Sequence, residues 1–291
     1  MLPQQTTQNY PGEIFRALAV FVEPPSPEHE PVAQTLDLGA LPSLADHTDL
    51  FDFQLFPFAS VYLGPEGMQG GEARDRIAGF WRVLELEAPN DPDHLTVLLA
   101  AYGALLDQAE AAPDEEAENW LHVSQVFLHE HVLSWLPLFL SKLGATGGEF
   151  YARWAGHLQL LLTVPELGVV GDRLPAALRE AEELPDPREE GGKAFLHGLL
   201  APARTGFILT RDDLAGIAQG CELGRRIGER RYVLENLLGQ DGQPVLEALA
   251  EFAEAASKKE LIGMPEVSAK WWRKRARSSS ELLRGLAAAA T

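Results

Sequence analysis

The chain has 291 residues, 46% of them hydrophobic and 23% charged, with a formal net charge of −19. This length can bury a full core, and the composition is that of a globular protein rather than a disordered or fibrous one. So acidic a surface argues against nucleic acid or anionic membrane as a partner and favours basic peptide segments. The single cysteine, Cys221, excludes a disulfide framework or a cysteine metal cluster. Residues 1–9 are polar, residues 11–22 carry Glu13 and Arg16, and no run is long enough to cross a bilayer. The expected location is therefore the cytoplasm.

In chain order, residues 13–22 read as a short amphipathic helix stopped by Pro24 and Pro25. Residues 23–49, rich in Pro, Asp and isolated leucines, read as irregular with room for one short helix. From Phe56 to Pro65 the aromatics barely alternate, and Pro57 with Gly64-Pro65 predicts an ordered loop. A helix follows over 71–84. The next is predicted to begin at Asp93, with Asp91 as N-cap, Pro92 in the first helical position and Asp93 where the dipole favours an anion. Residues 115–143 form a long apolar helical region bent near Pro137.

Residues 149–163 place Phe150, Tyr151, Trp154, Leu158 and Leu161 on a recurring helical face. Residues 175–193, with several acids, Pro185, Pro187 and Gly191-Gly192, read as a solvated connection. Thr210 and Asp213 fit a capping box at the start of another helix, and 225–238 and 244–256 are helical in pattern. At the end, Lys258, Lys259, Lys270, Arg273, Lys274, Arg275 and Arg277 surround Trp271-Trp272 and predict a mobile tail. With no strand series and no internal repeat, the expected fold is all-α: a main body over 1–164, a helical extension over 165–257 and a basic, flexible tail over 258–291.

Catalytic chemistry finds little support. His129 and His131 lie two apart, so they leave a helix on different sides, and Glu130 between them does not make a zinc-protease pattern. His122 shares a face with His129, but no third spaced ligand follows. Asp93 and His94 are adjacent and do not face each other on a helix. Ser60 and Cys221 lack a local base, and Gly64, Gly67, Gly70 and Gly71 are not followed by the Gly-Lys-Ser/Thr of a phosphate loop. No metal, cofactor or enzymatic activity is expected. Trp135 lies four after His131, within reach on one face, and the hydroxyls of Tyr62 and Tyr151 suit either a groove or a core.

Several segments, in order, resemble the TorD/DmsD/NarJ-like family of redox-enzyme maturation chaperones. Pro92-Asp93-His94-Leu95 matches the terminal Asp-His of the family's Glu-Pro-x-Asp-His signature, with Asn90 in the first position instead of Glu and the proline displaced to Pro92. The segment from Phe58 to Leu63 resembles an aromatic-Glu-Ser-Val-Tyr segment, with Ala59 in the acid's place. That from His131 to Phe139 resembles a His-Leu-x-x-Trp-x-Pro-x-Phe helix end, and Phe150-Tyr151 with Trp154 resembles the helix after it. The resemblance spans about residues 10–163, and Ala203 to Leu214 resembles an extension of longer members.

The resemblance implies a TorD-like helical bundle with a helical C-terminal extension, acting as a cytoplasmic helper. Its partner would be the catalytic subunit of a molybdopterin oxidoreductase, bound through a twin-arginine or N-terminal segment until cofactor insertion and assembly. Acids at the edge of an apolar groove would attract the paired arginines through charge-assisted hydrogen bonds. Asp93 and His94 are the leading client-binding candidates, with Tyr62, His131 and Trp135 beside them. The chaperone itself would carry no cofactor and would be a monomer or a homodimer. Two alternatives stay open. One is a peptide-binding interaction or signalling module. The other is a helix-turn-helix DNA-binding regulator using Arg225, Arg226, Arg230 and Arg231, which the acidity disfavours.

Overall fold

The computed structural model describes residues 11–164, 167, 173–224 and 226–290. The leader reading at residues 1–9, the boundary drawn at 165 and Arg225 lie outside them. The described residues are all-helical and contain no strand. The first half comprises α1 (Pro11–Ala19), α2 (Glu30–Thr35), α3 (Leu44–Thr48), α4 (Ala59–Leu63), α5 (Gly71–Val83), α6 (Leu95–Ala111), α7 (Asp114–Phe127), α8 (Leu136–Thr146) and α9 (Gly148–Leu161). Then come α10 (Ala176–Glu180), α11 (Pro187–Glu190), α12 (Gly192–Leu199), α13 (Pro202–Thr205), α14 (Arg211–Gly220), α15 (Arg230–Gln240), α16 (Gly242–Ser257) and α17 (Glu266–Ala289). No helix among the described residues is long and apolar enough to cross a membrane.

Two buried clusters organise these helices. The larger gathers Phe15, Tyr62, Tyr102, Phe127, Trp135, Phe139, Tyr151 and Trp154 with aliphatics of α1 to α9. The smaller joins Phe195, Phe207, Leu214, Leu234, Leu237, Val245 and Leu249. Helix α1 lies against α6 where Gly12 meets Gly103, since a Cβ on either would stand 2.7 Å from the other's carbonyl oxygen. The indole of Trp154 donates to the Leu18 carbonyl at 2.9 Å, tying α9 to the end of α1.

Three segments depart from the sequence reading. The predicted loop at 56–65 contains α4, a helical turn whose five residues are all buried. Pro57 and Pro65 flank it without entering it, so their backbone restrictions fall outside the helix. Helix α6 begins at Leu95 rather than Asp93, and its N-cap, His94, is extended and makes no side-chain cap. The preceding residues are drawn to α4 instead: Ala59 N–H donates to the Asp93 carbonyl at 2.9 Å and Leu95 N–H to the Pro57 carbonyl at 2.8 Å. Asp93 caps a helix, but that helix is α4.

The basic end is the third departure. Residues 266–289 form the 24-residue helix α17 in place of the expected mobile tail. Its buried stripe runs Trp272, Ala276, Ser279, Leu283 and Leu286–Ala287, at helical spacing, while Lys270, Lys274 and Arg277 stay exposed. Trp272 joins the larger cluster and donates to the Ser134 carbonyl at 3.0 Å, whereas Leu283 and Leu286 join the smaller. Arg275, buried within this basic run, donates to the carbonyls of Ala181 and Glu182. The stretch read as a solvated connection thus carries α10, α11 and the start of α12 and is pinned by α17.

Candidate client-binding clefts

The interruption between α7 and α8 falls just before Pro137. A π-helical turn over Leu128–Val132 ends α7, and Pro137 enters the first turn of α8, where a missing N–H costs nothing. Nearby side chains satisfy the carbonyls of this turn: Ser134 Oγ donates to the Glu130 carbonyl at 2.9 Å and Trp135 Nε1 to the His131 carbonyl at 3.0 Å. The His-Glu-His triplet has structural duties. His129 Nε2 lies 2.8 Å from the Arg173 carbonyl, and the Glu130 carboxylate accepts from the Ala176 N–H at 2.7 Å, capping α10. His131 sits between Phe80 and Phe127, and burial, with Arg76 adding repulsion, pushes its pKa down to about 4.

Tyr62, Asp93, His94 and Trp135 gather at α4 or its N-cap, whereas His131 packs against Phe80 and Phe127. Tyr62 stacks on Trp135 with centroids 5.0 Å apart and planes 11° from parallel. Its hydroxyl donates to the Phe56 carbonyl at 2.8 Å, and burial raises its pKa. The buried Asp93 carboxylate accepts from the Ser60 N–H at 3.1 Å, and Ser60 Oγ accepts from the Gly70 N–H at 3.0 Å. Asp93 thereby fixes α4, and α4 fixes the loop over 64–70. His94 packs edge-on against Phe58, its Nδ1 3.8 Å from Glu23. Burial lowers its pKa, against the opposing pull of Glu23, Asp91 and Asp93. Tyr62, Asp93, His131 and Trp135 are buried, so they position a surface rather than present one.

The surface they support is a cleft of about 600 Å³ between the π-helical turn Asp49–Gln54, the 64–70 loop, α12 and the start of α15. Its mouth exposes Phe53 at 40% and Met68 at 63%, so large apolar side chains stand in water there. Phe56 and Val61 continue the apolar wall. Arg211 lies over the Phe53 ring at 4.6 Å and Arg230 over Phe56 at 5.4 Å, with Arg230 Nη1 donating to the Leu209 carbonyl at 2.9 Å. Gly67 holds a positive φ of 64° and packs so closely on Leu200 that a Cβ would meet its carbonyl oxygen at 2.1 Å.

A second cleft, of about 380 Å³, opens on the other side of the same turn. Asp46, Asp49, Glu149 and Asp212 line it, and its lining includes no Lys, Arg or His among the described residues. Asp46 is occupied in capping α3, and Glu149 pairs with Arg153 at 2.6 Å. Asp49 and Asp212 are exposed and have no ion pair among the described residues. Sequence reasoning names Arg230, Arg231 and Tyr151 but neither cleft, because Phe53 and Arg211, or Asp49 and Asp212, meet only through tertiary packing. Of the four arginines considered for DNA, Arg230 turns inward to Phe56 and Arg231 Nη1 lies 3.2 Å from His197 Nε2.

Comparison with known proteins agrees with the motifs. Residues 22–141 match the family model described as nitrate reductase delta subunit. The chaperone protein TorD of Aeromonas salmonicida is 30% identical over 142 residues, covering 47% of this chain and 65% of that protein. The chaperone protein TorD of Vibrio vulnificus strain YJ016 is 32% identical over 115 residues, covering 36% of this chain and 53% of that protein. The chain thus spans just under two thirds of the first relative and about half of the second. No solved structure gives a significant match. Through its N-terminal half, the chain is thus similar to the TorD-like redox-enzyme maturation chaperones.

Proposed function

We propose that this protein is a non-enzymatic maturation chaperone that binds the catalytic subunit of a molybdopterin oxidoreductase through its twin-arginine or N-terminal segment. In this reading it acts in the cytoplasm and holds the client until cofactor insertion and assembly. The observation that carries the reading is the acidic cleft with two carboxylates, Asp49 and Asp212, that have no ion pair among the described residues, next to an apolar one. Two arginines suit the first, through charge-assisted hydrogen bonds to carboxylates. The apolar run after them suits Phe53, Phe56 and Met68. The acidic whole, at −19, speeds encounter with a basic segment. Asp93, His94, Tyr62, His131 and Trp135 set the shape of the wall.

The test is co-purification of the tagged chain from its native cells, followed by titration with the captured subunit's N-terminal peptide. Recovery of a molybdoenzyme subunit and a roughly tenfold or greater loss of peptide affinity in Asp49→Lys/Asp212→Lys supports the reading. Failure to recover any such subunit from cells that express one, with the bait folded, sinks it. Capture of an unrelated basic protein would favour the general peptide-binding module.

A further inference from the structure

The acidic cleft explains attraction of a basic segment and leaves the arginines of the larger cleft without a role. Arg211 and Arg230 both line that cleft, each over an aromatic ring. Neither makes an ion pair among the described residues, although the chain carries 43 acidic residues against 24 basic ones. The three carboxylates in the lining, Asp52, Glu66 and Glu229, stay exposed and hydrated at the rim. Arg230 lies deeper, and one protein carbonyl, that of Leu209, serves its five N–H donors. A guanidinium held away from water without a counter-charge is costly, and an entering anion recovers that cost. Burial lowers the Arg230 pKa, Tyr62 opposes that shift and Arg211 adds to it, and no carboxylate is among its causes.

We propose that this cleft seats a carboxylate-bearing, apolar stretch of a protein partner, with Arg230 as its anchor, Arg211 as the second guanidinium, and Phe53 and Met68 gripping the flanking apolar side chains. A peptide suits the site better than a small anion because the exposed apolar mouth adjoins the guanidiniums. The guanidinium fork pairs with a carboxylate through two parallel hydrogen bonds, and the ring beneath holds its plane. The partner segment is then bipartite: basic residues for the acidic cleft, and an acid among apolar residues for this one. The assignment extends the proposed function to the second cleft, yet it stands without any particular client, because it rests on Arg230 and not on Asp49 or Asp212.

The experiment titrates the full chain, by calorimetry, with a capped hexapeptide of alternating leucine and aspartate and with its leucine–asparagine counterpart. The expected result is an aspartate preference of about 10- to 100-fold, the range of charge-assisted hydrogen bonds. Arg230→Gln removes the preference, while Phe53→Ala weakens both peptides alike. Since Arg230 also bonds the Leu209 carbonyl, Arg211→Gln serves as the second variant, and thermal melting shows which variants fold. Equal affinity for the two peptides, no binding of either, or a preference that survives both arginine substitutions overturns the proposal. So does displacement of the peptide by inorganic phosphate at equal concentration, which would make the cleft a small-anion site. Loss of client-leader binding in Asp49→Lys/Asp212→Lys with this preference intact would separate the two clefts.

Discussion

Asp93→Ala removes the only side chain among the described residues that caps α4. The carboxylate is 1% exposed and accepts from the Ser60 N–H at 3.1 Å. Phe58, the N-cap by position, offers no side-chain acceptor. Alanine leaves a buried helix-terminal N–H without a partner, and losing a hydrogen bond to a charged group costs about 1.5–3 kcal/mol. The carboxylate's interaction with the positive end of so short a helix adds about 0.3–1 kcal/mol. The expected loss is therefore about 2–4 kcal/mol, or roughly 4–8 °C in melting temperature for a chain of this size. Asp93→Asn keeps an acceptor oxygen but loses the charge, so it should fall about midway.

The assay is far-ultraviolet circular dichroism through thermal and urea unfolding, with hydrogen exchange at 59–70. Because Ser60 also holds the Gly70 N–H, the alanine variant should show faster exchange in the loop that lines the larger cleft. A folded Asp93→Asn variant should bind clients nearly as the wild type does, since a buried carboxylate touches none. An alanine variant within about 0.5 kcal/mol of wild type, or one equal to asparagine, would refute the capping argument.

Three further outcomes follow from the geometry. His131, with its pKa near 4, stays neutral in the folded chain over a range where the unfolded chain binds a proton. Stability is then fully present above about pH 6.5 and falls as pH drops towards 4, by about 1.4 kcal/mol per unit at most. His94 acts in the same sense. His131→Leu should flatten the melting-temperature profile between these pH values, and an unchanged slope counts against the burial account. Gly206→Ala places a Cβ 2.2 Å from the Ala276 nitrogen at a φ of +83°, so about 2–4 kcal/mol should be lost and α17 should become sensitive to trypsin. Wild-type resistance would show that α17 is not held there. Arg275→Met strips the Ala181 and Glu182 carbonyls of their donor, for a loss of about 1.5–3 kcal/mol and faster exchange over 181–190, and no change in either would disprove that pinning.

Local patterns carried much of the reading. The Thr210–Asp213 capping box is present with both reciprocal bonds, and the face of Phe150, Tyr151, Trp154 and Leu158 is buried in α9. Both are short-range signals, legible because their partners lie within one helical turn or repeat at its period. The sequence reads Asp91 as the N-cap of α6 and Asp93 as an acid of its first turn, whereas the Asp93 carboxylate caps α4. Its nearest sequence neighbours offered a complete cap for α6, whereas its acceptor role is played 33 residues away at Ser60. The tail reads as mobile because its lysines and arginines mask a stripe of Trp, Ala, Ser and Leu at helical spacing.

Sequence by itself determined the helical class, the acidity and the ordered motifs in which the chain resembles TorD-like proteins. These depend on composition and on spacing within a helix, which a linear string preserves. Tertiary structure alone decided that Tyr62, Asp93, His131 and Trp135 are buried supports, and that Phe53, Met68, Arg211 and Arg230 form the exposed cleft. The reason is separation along the chain: Phe53 and Arg211 stand 158 positions apart and meet as a cation over a ring. No local preference of either residue encodes that meeting, which the packing of the two buried clusters brings about.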